Sequence, residues 1–218
     1  NILLGDVTGL NGLISVTSAG NINDAVDDQM STEVDIDAAS GSIVIQAVNG
    51  IGNNDIVELA AGNLTVNTTT GNIDVSNLSS IVTGPVTVFQ ITSGLGTIDF
   101  VQTGGQNTSF EEISTTDSDI TILADGSMTF ENLGMLTNVV STDGTGTIDV
   151  TATGVNSSIQ FNDGFRTVGG TIDLTAENSL AFGSEGDISS ANGIITLLAD
   201  SASRGAGGGG ITMSDGTI

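Results

Sequence analysis

Carboxylates are nearly the only chemistry this chain offers. Its 218 residues include 26 acidic side chains against two arginines, Arg166 and Arg204, with no lysine, histidine or cysteine. Four aspartates recur in one setting: Gly71-Asn72-Ile73-Asp74-Val75, Gly96-Thr97-Ile98-Asp99-Phe100, Gly146-Thr147-Ile148-Asp149-Val150 and Gly170-Thr171-Ile172-Asp173-Leu174. If these phrases stack, Asp74, Asp99, Asp149 and Asp173 form a ladder with Thr121 and Thr196, and neighbouring carboxylates about 5 Å apart repel. Two states satisfy such a ladder. A hard divalent cation such as Ca²⁺ binds through oxygen, or the face stays solvated and salt screens it. Ca²⁺ is thus an optional ligand, and no cofactor is required. The loops Asn53-Asn54-Asp55 and Asn162-Asp163 are also oxygen-rich, but neither has the twelve-residue calcium-loop pattern.

Other chemistries have little to work with. Carboxylate pairs such as Asp149 and Asp173 could serve glycoside hydrolysis. No histidine or lysine is available to assist them, and sugar platforms are scarce, with seven Phe and no Trp or Tyr. No catalytic residue is assigned, and an enzyme is not expected. The Gly207–Gly210 run lacks the Gly-Lys-Ser/Thr ending of a phosphate loop. A formal charge of −24 disfavours nucleic acid and anionic lipid surfaces. No stretch approaches the roughly 20 apolar residues of a spanning helix. Asn-x-Ser/Thr sequons fall at Asn63, Asn67, Asn77, Asn107 and Asn156.

The recurring phrase dictates the elements that must position these aspartates. Thr147-Ile148-Asp149-Val150 alternates with period two, which sets Ile and Val on one face and Thr and Asp on the other. Repetition at this spacing marks a solenoid. Aligning Ile22, Ile43, Ile73, Ile98, Ile120, Ile148, Ile172, Ile195 and Ile218 gives turns of 21–30 residues. Further short strands fall between them: Leu64-Thr65-Val66, Val86-Thr87-Val88, Met128-Thr129-Phe130, Ile159-Gln160-Phe161, Leu180-Ala181-Phe182 and Ile211-Thr212-Met213. The expected fold is an all-β, right-handed parallel β-helix with about three short strands per turn. At roughly 4.8 Å per turn it builds a rod on the order of 40 Å.

One turn cannot bury its own apolar face, whereas stacked turns bury a continuous stripe. Phe100, Phe130, Phe161 and Phe182 are expected to fill wide corners of that core. The Ile22 turn stands out because Asp24 occupies an inward position. Residues 23–33 and 201–210 read as loop excursions from a single segment spanning 1–218. The chain begins with Asn1 and shows no signal peptide, as a processed piece would. Asp215-Gly216-Thr217-Ile218 breaks off inside the phrase and Asn1-Ile2-Leu3-Leu4 would complete it, so the segment reads as part of a longer repetitive array.

The run Gly41-Ser42-Ile43-Val44-Ile45 through Val75, with Gly50-Ile51-Gly52 and Asn63-Leu64-Thr65-Val66-Asn67-Thr68-Thr69-Thr70-Gly71-Asn72-Ile73, resembles bacterial surface proteins of the filamentous-haemagglutinin type and giant β-strand-repeat proteins. The resemblance is one of repeat style. It implies a secreted, extracellular or cell-surface fibre or adhesin, joined end to end to identical or similar β-solenoid units or continued covalently into them. Its alternative is an adhesive module that binds a host surface or polysaccharide, and a polysaccharide lyase or hydrolase is a distant third. The family has no shared site motif to transfer.

Overall fold

The computed structural model describes residues 1–9, 11–25, 34–78, 82, 84–132, 138–201, 209–214 and 218. Among these every element is a strand and every strand pair is parallel, so the fold is a parallel β-solenoid. The first layers place two short strands on one sheet, called A, and one on the other, called B. They are β1 (Ile2–Leu4), β2 (Val7–Thr8) and β3 (Leu13–Ser18); β4 (Asn21–Asp24), β5 (Ile36–Asp37) and β6 (Ser42–Ala47); β7 (Gly50–Ile51), β8 (Val57–Ala60) and β9 (Asn63–Thr68). Two longer strands follow, β10 (Ile73–Leu78) on A and β11 (Val86–Ser93) on B.

Beyond them the division reverses, with one strand on A and two on B. These layers are β12 (Ile98–Thr103), β13 (Thr108–Phe110) and β14 (Ile113–Thr115); β15 (Ile120–Ala124), β16 (Met128–Phe130) and β17 (Val140–Thr142); β18 (Ile148–Ala152), β19 (Ile159–Phe161) and β20 (Phe165–Thr167); β21 (Ile172–Ala176), β22 (Leu180–Phe182) and β23 (Ile188–Ser190); then β24 (Ile195–Leu198) and β25 (Ile211–Met213). The long pair makes the changeover. β10 receives both β7 and β8, and β11 hands on to both β13 and β14.

The isoleucine column exists, with altered membership. Ile2, Ile22, Ile51, Ile73, Ile98, Ile120, Ile148, Ile172 and Ile195 follow one another in register. Ile43 belongs instead to sheet B, between Ile14 and Leu64. The confusion has a physical source. A Gly-x-Ile phrase marks a tight corner entering a strand, and both sheets are entered through such corners. Ile218 is outside any strand and 59% exposed, and residues 215–217 lie outside the described residues. Ile2 pairs with Ile22, whereas tail-to-head reading of the phrase would place it two residues past the column.

The glycine of the phrase is fixed by stacking. A Cβ on Gly96, Gly146, Gly170 or Gly193 would run into the backbone carbonyl of Gly71, Ser118, Gly146 or Gly170 in the turn before. A hydroxyl three residues earlier completes this corner. Ser93 Oγ accepts from Gly96 N (2.7 Å) and donates to Gly71 O (2.8 Å). Thr167 and Ser190 repeat the pattern with Gly170 and Gly193 as donors. The structural phrase is therefore longer than first apparent: a hydroxyl residue, two spacers, Gly, one further residue, then Ile.

Phe110, Phe130, Phe161 and Phe182 stack in register in sheet B, with centroids 4.9, 5.8 and 4.6 Å apart and planes within 11°. Phe165 meets Phe130 and Phe161 edge-on, and Phe100 meets Phe110 edge-on at 5.6 Å. Phe100 thus adjoins the stack that it was expected to join, and Phe110 holds that place. Of the two expected excursions, Asn23 and Asp24 belong to β4, residues 26–33 and 202–208 lie outside the described residues, and Ser201, Gly209 and Gly210 are in turn or irregular backbone.

Candidate functional site: the acidic ladder and an inward acid cluster

The outer face of sheet A gathers the aspartates as stacking requires. Asp74 pairs with Asp99, Asp99 with Thr121, Thr121 with Asp149, Asp149 with Asp173 and Asp173 with Thr196. Strand spacing sets neighbours about 4.8 Å apart. The ladder is consequently two carboxylate pairs separated by a threonine. At the upper pair burial, Asp99 and Asp55 together push the Asp74 carboxyl up to about 6. At the lower pair hydroxyls approach the carboxylates, with Thr151 Oγ1 donating to Asp149 Oδ1 (3.2 Å) and Thr171 Oγ1 to Asp173 Oδ2 (3.4 Å). The residue before each core Ile also acts across layers. Asn72 Oδ1 accepts from Thr97 N (3.1 Å) and Asp119 Oδ1 from Thr147 N (2.7 Å).

The oxygen-rich loops engage their polar side chains with backbone and side-chain partners inside the protein. Asp55 Oδ1 accepts from Ile56 N (2.9 Å), Asn53 Nδ2 donates to Asn21 Oδ1 (3.2 Å), and Asp163 Oδ1 accepts from Gly164 N (2.6 Å).

A second group of acids was only partly visible in the sequence. Asp24, Asp35 and Glu58 bring one carboxylate oxygen each within 4.8 Å of one another, and Asp35 and Glu58 are buried. Asp24 stands in register with the buried Leu4, so the inward acid noted at this turn is real. Asp35 and Glu58 lie in neighbouring layers. Asp35 N donates to Glu58 O (2.9 Å), and Glu58 N donates to Asp35 Oδ2 (3.0 Å). Burial raises the Asp35 carboxyl to about 8, helped by its hydrogen bond to Asp24 and by both neighbouring charges, while the Glu58 N–H opposes the shift. Burial and the neighbouring carboxylates thus favour the protonated form of Asp35, hydrogen-bonded to Asp24. The sequence clue was Asp24 alone, because nothing local marks Asp35 or Glu58 as inward.

Buried amides form a third polar device. Asn77 Nδ2 donates to Gln102 Oε1 (2.9 Å) and to Ala61 O (3.2 Å), and its Oδ1 accepts from Ala61 N (3.0 Å). Gln102 Nε2 donates back to Asn77 O (3.0 Å). Asn77 is fully buried, so its sequon is closed to modification in the folded chain. The Asn67 amide is likewise engaged, with Gln90 and Thr92.

The outer face of sheet B carries a shallow polar groove lined by Thr68, Gln90, Thr92, Glu112, Ser114 and Asp143. Gln90 Nε2 donates to Glu112 Oε2 (2.7 Å) within it. Among the described residues no helix is long and apolar enough to cross a membrane. Comparison with protein-family models, curated proteins and solved structures finds no match for this chain.

Proposed function

We propose that this chain is a structural segment of an extracellular or cell-surface β-solenoid fibre or adhesin, continued at its ends by further solenoid, either covalently or by association of units. The observation that carries this reading is the parallel stacking itself, in which one isoleucine column passes through nine layers from Ile2 to Ile195. Leu3 and Leu13 are 67% and 68% exposed at one end, and Ile194, Leu198 and Ile211 are 70%, 49% and 46% exposed at the other. Of these Ile211 is the inward position, in register with the buried Leu180, whereas Leu3, Leu13, Ile194 and Leu198 lie on the outer faces, where interior layers carry residues such as Asp74, Ser42, Thr171 and Thr175. Edge strands with unpaired backbone groups and apolar neighbours invite further strands. The repeat style of the sequence supports the surface location. Electron microscopy of native material tests the reading: rods or fibres with an axial repeat of a few nanometres are expected, and isolated compact particles would refute it.

The sheet B groove favours an adhesive module as the second reading. Its hydroxyls, amides and the Glu112 carboxylate suit the hydroxyl groups of a polysaccharide. Glycan-array binding by a monodisperse monomer, lost in Gln90→Ala, would favour that reading over the fibre.

A further inference from the structure

We infer that Phe89 is the platform of a saccharide-binding site at the margin of the sheet B groove. One ring of an uncharged polysaccharide lies on its exposed aromatic face, while Gln90, Glu112 and their partners hold the ring hydroxyls. The inference deepens the adhesive-module reading and rests on it for its setting, but it adds a residue and a ligand class which that reading does not name.

Phe89 is set apart by its placement. Of the seven phenylalanines in the chain six are buried, whereas Phe89 is 45% exposed. Strand β11 shifts register between Val88 and Gln90, so Phe89 is the extra residue of a β-bulge. Val88 and Ile91 on either side are fully buried, and Phe89 and Gln90 between them both face outward. Bulges re-aim side chains in this way. The bend of sheet B accounts for an extra residue here but not for an aromatic one. In the layers that follow, Phe110, Phe130, Phe161 and Phe182 continue the Val88 column. The residues after them at this corner are Glu111, Glu131, Asn162 and Gly183. Where later layers offer water a polar residue or glycine, this layer offers a ring, which forgoes the burial that stabilises the other six.

A hydrogen-bonded row of polar side chains begins at the same bulge. Thr92 Oγ1 donates to Asn67 Oδ1 (2.8 Å), Asn67 Nδ2 to Gln90 Oε1 (2.9 Å) and Gln90 Nε2 to Glu112 Oε2 (2.7 Å). Ser114 Oγ donates to Glu112 Oε1 (3.4 Å). The row crosses three layers and fixes the direction of each amide. Every amide nitrogen in it has a second N–H, and the carboxylate and hydroxyls have further acceptor capacity. Groups aligned before binding lose little freedom when a ligand arrives. The groove they line measures about 540 Å³, within the roughly 300–1,000 Å³ of small-ligand sites.

The two parts together define the ligand. A sugar ring carries C–H groups on its faces and hydroxyls around its edge, so it covers an aromatic ring and meets a polar row beside it at once. Glu112 and Asp143 line the groove of a chain with net charge −24, which disfavours uronate and sulfated polysaccharides.

Native gels cast with hydroxyethylcellulose, galactomannan or polygalacturonate test this assignment. At least one of the two neutral polymers should retard the chain, and polygalacturonate should not. Phe89→Ala should weaken the retardation about tenfold or more, with circular dichroism unchanged because the side chain removed is exposed. The chain has no tryptophan or tyrosine, so Phe89→Trp makes position 89 its only strong fluorophore. That variant should still bind, and the retarding polymer should shift its emission to shorter wavelength and protect it from acrylamide. If Phe89→Ala fails to fold, the Phe89→Trp emission decides the question. Retardation that Phe89→Ala leaves unchanged, or that leaves the Phe89→Trp emission unmoved, overturns the platform and leaves the adhesive reading standing. Retardation by polygalacturonate alone overturns the ligand class. Absence of retardation in all three gels overturns the inference, and glycan-array binding lost in Gln90→Ala would then uphold the adhesive reading without it.

Discussion

The layers before β10 and those after β11 build one rod from different materials. The earlier layers bend sheet A, fill their core with aliphatic residues such as Ile43, Ile45, Leu59 and Val66, and admit three acids at Asp24, Asp35 and Glu58. The later layers bend sheet B and fill the space with six phenylalanines, all buried. The bend follows side-chain volume. Two short B strands set at a corner make room for Phe110, Phe130, Phe161 and Phe182 to stack, with Phe165 edge-on to that stack. The lesson is that the hydrogen-bonded ladder is indifferent to where the corner falls, and core volume decides it. Asn77 and Gln102 sit at the changeover, where β10 takes over from β8: the Asn77 amide satisfies both the N–H and the carbonyl of Ala61, which the departing corner would orphan, and Gln102 holds Asn77 in place.

Four measurements would sharpen this contrast or break it. The largest effect is expected from Phe161→Ala, which removes a ring touching Phe130, Phe165 and Phe182. It should cost about 3–5 kcal/mol, read from the denaturation midpoint, whereas Val66→Ala in the aliphatic layers should cost nearer 2 kcal/mol. Equal losses would mean that the two cores are equivalent. Next, Asn77→Leu should cost about 1–3 kcal/mol for each backbone or amide partner it strands, and a neutral result would dismiss the amides as the device that makes the changeover. Third, Gly170→Ala should cost about 1–3 kcal/mol, because its Cβ meets the Gly146 carbonyl. The same change at Gly210, where nothing lies within 4 Å, should be much milder.

The fourth measurement is pH dependence, which should reside in Asp35 of the earlier layers and Asp74 of the changeover strand β10. The Asp35 and Asp74 carboxyls are raised to about 8 and about 6, above their unfolded values near 4. The folded chain therefore holds protons that the unfolded chain has released. The stability linked to these groups is complete below about pH 4 and is lost as pH rises through 6 for Asp74 and 8 for Asp35. Melting temperature should fall between pH 5 and pH 8, and Asp35→Asn should flatten the upper part of that fall. Salt should raise the melting temperature at pH 8 by screening Asp74 from Asp99. If Asp35→Asn leaves the profile unchanged, the inward cluster does not control it.

Period-two alternation and the recurring Gly-x-Ile-Asp phrase made the parallel coil and the outward aspartate ladder legible, since both depend on residue spacing along a strand. Thr147-Ile148-Asp149-Val150 announces its own inside and outside. The membership of the ladder at Ile51, the corner between Phe161 and Phe165, and the meeting of Asp24 with Asp35 and Glu58 were not legible. Each depends on how many residues leave and re-enter the coil between layers. Asp35 reads as an ordinary loop acid until Glu58 is stacked against it.

The sequence by itself determined that this chain coils in parallel layers with an apolar interior and an acidic exterior, because hydrophobic alternation and stacking glycines act locally and repeat. Only the tertiary structure decided which layer each isoleucine joins, where the corner moves from one sheet to the other, and which carboxyls meet inside the coil. Those outcomes depend on contacts between residues 20 or more apart, whose energies no local pattern encodes.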